Sequence, residues 1–116
     1  MYPFPKDIDI ALFIGASLVQ VCVTQNTVSL SFDAELMLVI EGAFRLDERG
    51  ETEESRAPKV PLTLFNLVGQ AVSAVEVTPH NDFRLRFGAD RALECVDDSD
   101  TYECYRVVIR GRETIV

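Results

Sequence analysis

The chain has 116 residues, 47% of them hydrophobic, and its 19 acidic and 11 basic side chains give a formal net charge of -8 at pH 7. This length suits one domain with a single core. The hydrophobic content excludes overall disorder, and six Gly and five Pro exclude collagen-like and low-complexity chains. The negative charge argues against binding to nucleic acid or to an anionic membrane surface.

The N-terminal segment has the features of neither a membrane span nor a secretory signal. The longest run with few charges, residues 8–23, is interrupted by Asp9 and falls short of the roughly 20 apolar residues that a bilayer span requires. Residues 1–7 lack the basic region and the apolar block of a secretory signal. The three cysteines are an odd number without a Cys-x-x-Cys spacing, which suits reduced thiols. We therefore expect a cytoplasmic protein.

The most informative feature of the sequence is an internal repeat. Residues 13–23 align with residues 67–77 at a constant offset of 54, which places Gly15 on Gly69 and valine on valine twice. Downstream the offset becomes 55, and the change falls in a turn, where an insertion disturbs a fold least. The chain therefore consists of two related halves.

Within each half, apolar and polar residues alternate with a period of two, which is typical of β-strands with one buried face. Polar turns separate the alternating stretches, so each half is expected to form three antiparallel strands joined as a meander. One more strand is predicted at residues 105–110, and short helices or strands are expected before Gly15 and Gly69. The inward positions predicted for the first half are Val19, Val21, Val23, Val28, Leu30, Phe32, Leu36, Leu38 and Ile40.

These patterns predict an all-β fold in a single domain, residues 1–116. Two tandem antiparallel β-meander repeats, about 8–46 and 62–110, would bury their apolar faces against each other as a sandwich or a partly open barrel. Residues 45–58 are rich in charge and have no apolar period, so they are predicted to form an exposed acidic loop that joins the repeats.

The outward positions of the first repeat are almost free of charge. Because side chains alternate across a strand, assigning the apolar set inward fixes the outward set. An uncharged exposed sheet face is unusual on a chain of this net charge, so we expect something to cover it. A second copy in a homodimer, the chain's own residues 2–4 or 60–64, and a small-molecule pocket are the candidates. The predicted interface residues are Cys22, Thr24, Ser29, Ser31, Met37 and Val39.

The outward positions of the second repeat are charged. Neighbouring strands of the meander carry opposite signs, which favours cross-strand ion pairs on a solvated sheet face. An arginine patch for a phosphorylated ligand or a nucleic acid is the alternative. The outward residues are Glu76, Arg84, Arg86, Glu94, Arg106 and Arg110.

No combination of residues specifies catalysis. His80 is the only histidine, and it lies in a Pro-His-Asn-Asp sequence that is typical of a turn. Without a second histidine or a Gly-x-Ser-x-Gly sequence, neither a zinc hydrolase site nor a serine triad can be assembled. A Cys-His pair would need a geometry that the sequence does not show. We therefore expect no enzyme activity and no cofactor.

A group of carboxylates near the C-terminus is the only candidate metal site. Asp97, Asp98, Asp100 and Glu103, together with Glu94, could offer oxygen ligands to calcium or magnesium. The spacing departs from that of an EF-hand loop, and Asp and Ser also cluster in turns, where they bond to the local backbone. A turn, a metal site and a docking patch for a basic protein partner are the three interpretations.

Short motifs span most of the chain. They are Gly69 with Val75 and Val77; Leu85-x-Phe87-Gly88-Ala89-Asp90; Tyr102-Glu103-Cys104-Tyr105-Arg106-Val107 with Arg110-Gly111; and Leu38-x-Ile40-Glu41-Gly42-Ala43-Phe44. Together they resemble an uncharacterised family of small bacterial proteins, a domain of unknown function with Gly-x-x-Val, Leu-x-Phe hairpin and Tyr-Glu-x-aromatic motifs. The resemblance supports the β fold and implies no activity.

These observations favour a non-enzymatic protein-binding module that acts as a homodimer in the bacterial cytoplasm. An immunity-type antagonist, small and acidic, that covers the active site of a basic toxin is one alternative. A ligand-binding or metal-binding β protein that uses the acidic residues 94–103 is another.

Overall fold

The computed structural model describes residues 9–98 and 104–116, which form ten β-strands and two short 3-10 helices. Within these residues, no helix is long and apolar enough to cross a membrane. The elements in chain order are η1 (Ile10–Phe13), β1 (Leu18–Val23), β2 (Val28–Phe32), β3 (Leu36–Ile40), β4 (Ala43–Glu48), β5 (Glu51–Arg56), η2 (Leu62–Leu67), β6 (Val72–Val77), β7 (Phe83–Phe87), β8 (Arg91–Cys95), β9 (Tyr105–Ile109) and β10 (Arg112–Ile115).

The strands form two antiparallel five-stranded sheets, which confirms the all-β sandwich. The first sheet has the order β1-β2-β3-β9-β10 and the second sheet has the order β5-β4-β8-β7-β6. Each half of the chain therefore places its meander in one sheet and sends the hairpin that follows to the other sheet. Both sheets are thus built by both halves of the chain, and each half has five strands.

The prediction of an acidic loop at residues 45–58 is wrong, because this segment forms most of β4 and all of β5. In β4, Phe44 and Leu46 are buried, whereas β5 is an edge strand with no buried residue. The turn between the strands is Arg49-Gly50, and both residues have positive φ, as the tightest β-hairpins require. The second repeat has the same turn at Arg110-Gly111, which leads into β10, a strand that the sequence analysis did not predict.

The helical alternative for the segments before Gly15 and Gly69 is confirmed. Each 3-10 helix ends two residues before its glycine, and both glycines have φ +88. The chain segments that follow are hydrogen-bonded to each other: Gly15 N donates to Val72 O (2.8 Å) and Gly69 N donates to Leu18 O (2.7 Å). These equivalent bonds join the two sheets along one side of the sandwich.

Aromatic rings fill the space between the sheets. The ring of Phe13, from η1, lies 5.3 Å from that of Phe32 in the first sheet and 5.5 Å from that of Phe83 in the second, in edge-to-face orientations. The ring of Phe83 lies 6.1 Å from that of Tyr105. All four side chains are buried. Phe13 therefore links the two sheets through the core.

Candidate functional site

The predicted interface residues of the first repeat do share one outer face of the first sheet. Cys22 is paired with Ser29, and Ser29 is paired with Val39 in the next strand. Two residues further along the same strands, Ser31 is paired with Met37. The sixth candidate, Thr24, lies in the turn after β1, where its hydroxyl is 2.7 Å from the hydroxyl of Thr27. We call the five strand residues, Cys22, Ser29, Ser31, Met37 and Val39, the neutral face.

The neutral face is bordered by the protein's own β9, which pairs with β3 in the same sheet. Arg106, expected on the outer face of the second repeat's own strands, instead lies beside Val39 in the first sheet. It forms ion pairs with Glu41 (3.0 Å) and Glu113 (3.3 Å). Val39 is only 7% exposed although it points outward. The expected outward position of Arg110 is also wrong, because this residue lies in the turn between β9 and β10.

Residues 60–64, one candidate cover for the neutral face, are placed elsewhere. Leu64 belongs to the core, and Val60 packs against the core. Leu62 is exposed on η2. The other candidate segment of the chain, residues 2–4, lies outside the described residues. The part of the predicted interface that remains open is the edge at β1, where Cys22 is exposed.

Strand β1 is a sheet edge without a charged residue. The other three edges, β5, β6 and β10, all carry charged side chains, whereas β1 reads Leu-Val-Gln-Val-Cys-Val. Thr24 N donates a hydrogen bond to Thr27 O in the neighbouring strand segment (3.0 Å). In an antiparallel pair, every second residue is bonded to the partner strand in this way, and the backbone groups of the residues in between point away from the partner strand. The N–H and C=O groups of Val21 and Val23 therefore face the open side of the sheet.

Exposed apolar side chains line this open edge. A bulge at Val19 leaves that side chain 55% exposed, so the prediction that it points into the core is wrong. Val23, paired with the buried Val28, lies on the core side as predicted, but at the end of this edge strand it is 48% exposed. Val68 directly precedes Gly69, which is bonded to Leu18, and so lies beside Val19. Residues that are three apart lie on the same side of a 3-10 helix. Phe65 in η2 therefore lies on the same side as Val68 and extends the apolar surface. We call the group of exposed residues Val19, Val23, Phe65 and Val68 the apolar edge.

The outer face of the second sheet carries a charge ladder that crosses all five strands. Cross-strand neighbours alternate in sign along the row, which confirms the expected opposite charges of Glu76, Arg84 and Glu94. The nitrogens of Arg84 lie 2.8 Å from Glu94 and 3.9 Å from Glu76. Strands β4 and β5 complete the row. The charge ladder is Glu76, Arg84, Glu94, Arg45 and Glu54.

Asp47 joins the ladder from the next row of the same face. Its carboxylate lies 2.9 Å from Arg84 and accepts a hydrogen bond from the hydroxyl of Thr52 at 2.7 Å. Burial alone would raise the pKa of Asp47, but the hydrogen bonds from Thr52 and Arg84 outweigh burial and lower it. Asp47 is therefore held in its charged form.

Asp82 is a buried carboxyl group next to Glu94, the middle residue of the ladder. It accepts a hydrogen bond from the backbone N–H of Asp97 at 2.7 Å. Burial is the main cause that raises the pKa of Asp82. The bond from Asp97 opposes the rise, and the neighbouring Glu94, to which Asp82 is hydrogen-bonded, adds to it. The protonated form of Asp82 is therefore more favourable in the native state than in the unfolded chain.

Asp82→Asn is expected to raise the melting temperature at pH 7 by a few degrees. Because the pKa is raised above the ordinary 3.8, the stability that protonated Asp82 contributes is complete below that value and is lost as pH rises through the native pKa. Asparagine keeps the uncharged form at every pH, so the gain should vanish near pH 3. Thermal melts across this range measure the effect. Asp90→Asn, at an exposed position, is the control, and an equal gain there would contradict the explanation.

The acidic residues near the C-terminus are bound to protein groups where the structure describes them. Asp97 accepts hydrogen bonds from the Asn81 side chain (2.9 Å) and from the Cys104 thiol (3.5 Å), and Asp98 bonds to Arg56. Asp100 and Glu103 lie outside the described residues. Among residues 9–98 and 104–116, no group of three His, Cys, Asp or Glu side chains has the geometry of a metal site.

The remaining candidate catalytic residues are the histidine, the cysteines and the tyrosines of the Tyr-Glu-x-aromatic motif. His80 is exposed in its turn, whereas Cys95 and Cys104 are buried. Burial raises the pKa of the Cys95 thiol, so it stays protonated at neutral pH. Tyr105, from the Tyr-Glu-x-aromatic motif, is a core residue whose hydroxyl donates to Asn81 O at 2.7 Å. Tyr102 of that motif lies outside the described residues.

The comparisons with known proteins agree with the resemblance seen in the sequence. The model of a family described as "Family of unknown function (DUF6188)" matches residues 10–116. No curated protein and no solved structure matches the chain. The matched residues include both repeats and every strand of both sheets. The chain therefore belongs to this family of unknown function.

Proposed function

We propose that this protein is a non-enzymatic interaction module that forms a homodimer by antiparallel pairing of two β1 strands. The observation that supports this proposal is the open, uncharged edge of β1 with its exposed apolar side chains. Edge strands of soluble proteins usually carry charges, bulges or covers that prevent such pairing. Beyond its bulge at Val19, β1 has neither a charge nor a proline.

The backbone supplies the first part of the contact. Leu18 already uses its outward N–H and C=O groups to bond Gln70 and Gly69 of its own chain. Val21 and Val23 have outward groups of the same kind beyond that point. With a two-fold axis beside these residues, the outward N–H and C=O groups of each β1 would hydrogen-bond to the β1 of the other copy. The first sheets of the two copies would then form one continuous sheet.

Charge favours a second copy as the occupant of this edge. Two chains that each carry a formal charge of -8 repel, so they should meet where their charges are fewest. Self-pairing of β5 would bring glutamates of both copies together, and self-pairing of β6 would do the same with Glu76. The β1 edge brings only apolar and neutral polar side chains together.

The double substitution Val19→Lys and Val23→Lys is expected to convert a dimer into a monomer. Lysines on both copies would repel across the pairing strands and would disrupt the apolar contact. Light scattering at high micromolar concentration should give twice the 13.0 kDa chain mass for the native protein and the chain mass for the variant. Both positions are exposed, so the fold should persist.

The second repeat provides a matched control. Ser73→Lys with Val77→Lys changes the equivalent two positions of β6 and should leave the dimer intact. Met37→Glu tests the neutral face and should also leave the dimer intact. A native monomer would refute the proposal, and so would a dimer that Met37→Glu dissociates while the β1 lysine variant remains dimeric.

A further inference from the structure

Strand β5 is a free edge of the second sheet, and no strand of the described residues pairs with its open side. Ala57 N donates a hydrogen bond to Gly42 O at 3.0 Å, and this pair continues the register of β4 and β5. Because bonded residues alternate along an antiparallel pair, the odd-numbered residues of β5 bond to β4 and the even-numbered ones do not. The N–H and C=O groups of Thr52 and Glu54 therefore point to the open side of the sheet.

Two exposed glutamates lie on the core-side face of β5. Glu51 and Glu53 share this face with Leu46, because Glu53 is paired with Leu46 and Glu51 lies two residues before it. Neither glutamate forms an ion pair with any residue in the described part of the chain. Glu53 accepts a hydrogen bond from the hydroxyl of Thr63 at 2.8 Å, which leaves its charge in place. This face therefore carries surplus negative charge.

A cavity of about 500 Å³ lies against the same face of β5. Leu46 gives it an apolar lining, and its single arginine, Arg49, already lies 3.6 Å from Asp90. A lysine or arginine side chain suits such a cavity, because its aliphatic part can lie on Leu46 while its charged end reaches Glu51 and Glu53. We call it the acidic cavity, and its charged residues are Glu48, Arg49, Glu51 and Glu53.

The outer face of β5 favours uncharged side chains instead. Glu54, on this face, is already paired with Arg45 at 3.4 Å. A second cavity of about 550 Å³ lies beside this pair, and Ala43 and Val96 are part of its lining. The two faces of β5 therefore suit a strand in which basic and uncharged residues alternate.

Charge determines which kind of strand fits this edge. Two β5 strands would repel each other, because pairing would bring the glutamates of both copies together. A basic strand would instead neutralise Glu51 and Glu53, and the net charge of -8 would add to the attraction. The same acidic residues thus reject a second copy and favour a partner of opposite charge.

We propose that β5 binds an extended basic segment of a partner protein, which adds an antiparallel strand to the second sheet. The backbone of the segment would bond to Thr52 and Glu54, and every second side chain, a lysine or an arginine, would enter the acidic cavity. The side chains in between would lie on the outer face. Because β1 and β5 are edges of different sheets, this binding is independent of the proposed dimer.

NMR titration of the full chain with the peptide acetyl-Lys-Val-Lys-Val-Lys-amide tests this proposal. We expect saturable shifts of the backbone N–H resonances of Thr52 and Glu54. The double substitution Glu51→Gln and Glu53→Gln should weaken binding at least about fivefold, because it removes two ion pairs. Both positions are exposed, so the fold should persist.

The other edge strands provide a control with the same change of net charge. Glu76→Gln with Glu113→Gln removes one exposed carboxylate from β6 and one from β10, and it should change the affinity less than about twofold. Equal losses of affinity in the two double variants would refute the proposal, since they would indicate general attraction to negative charge.

A modified peptide separates strand addition from charge attraction. Methylation of the backbone nitrogens of both valines keeps every side chain and every charge, but it removes the two N–H donors that would bond to β5. We expect this peptide to bind at least about tenfold more weakly than the parent peptide. Equal affinity of the two peptides would refute the proposal. Absence of a saturable shift at Thr52 and Glu54, or shifts at Val21 and Val23 in their place, would also refute it.

Discussion

Phe13→Ala is expected to lower the free energy of unfolding by roughly 3 to 5 kcal/mol. Phe13 has no exposed surface, and its ring contacts Phe32 in one sheet and Phe83 in the other. Alanine would remove this apolar surface and would leave a cavity lined by aromatic edges, which the two sheets cannot close without moving together. Urea unfolding at constant pH measures the loss.

Phe65→Ala is the matched control for this change. It removes the same atoms from the equivalent type of element, η2, but Phe65 is 45% exposed and belongs to the apolar edge. We expect a loss of less than about 1 kcal/mol there, because little surface returns to water. Similar losses in the two variants would show that Phe13 does not link the sheets. A change in the dimerisation of Phe65→Ala alone would be consistent with its place on the apolar edge.

Five of the strands that the sequence predicts have one regularly buried face. Alternation marks β2, β3, β7, β8 and β9, because each of them packs one side against the core. Strand β5 has no buried position, so no apolar period can reveal it. The signal that could have revealed the missed strands is the Arg-Gly turn at Arg49 and Arg110, which occurs once in each repeat.

Side-chain period decides which face of a strand is buried but not which sheet the strand joins. For this reason the sequence places Arg106 with the second repeat, whereas the crossing hairpin carries it to the first sheet beside Val39. The same crossing brings Arg45 next to Glu94 and completes the charge ladder. Pairings between distant parts of the chain, which follow from the packing of whole sheets, were therefore beyond local sequence patterns.

Backbone irregularity limits the site prediction in a different way. The bulge in β1 shifts the alternation after Leu18, so that Val19 is turned out of the core. A strict period of two assigns Val19 to the interior and hides the apolar edge. The sequence nevertheless places Cys22, Ser29 and Val39 on one face correctly, because they lie beyond the bulge, where the register is regular.

Glu94→Gln is expected to lower the free energy of unfolding by about 2 kcal/mol, between the losses for breaking an exposed ion pair and a buried one. The Glu94 side chain is 12% exposed and lies between two cations, 3.0 Å from Arg45 and 2.8 Å from Arg84. Glutamine keeps the shape but removes the charge, which leaves the 16% exposed Arg84 with Asp47 at 2.9 Å and the more distant Glu76 at 3.9 Å. Urea unfolding at neutral pH and low salt measures the loss.

Glu54→Gln tests whether position in the ladder, rather than charge alone, determines this loss. Glu54 pairs with the same Arg45 at 3.4 Å, but its side chain is 74% exposed. Water therefore screens the pair, and its loss should cost less than about 0.5 kcal/mol. Added salt should remove most of the Glu54 effect and little of the Glu94 effect, because buried pairs are screened less. Equal losses, or equal sensitivity to salt, would mean that the ladder is only a solvated surface and that Glu94 does not anchor the second sheet.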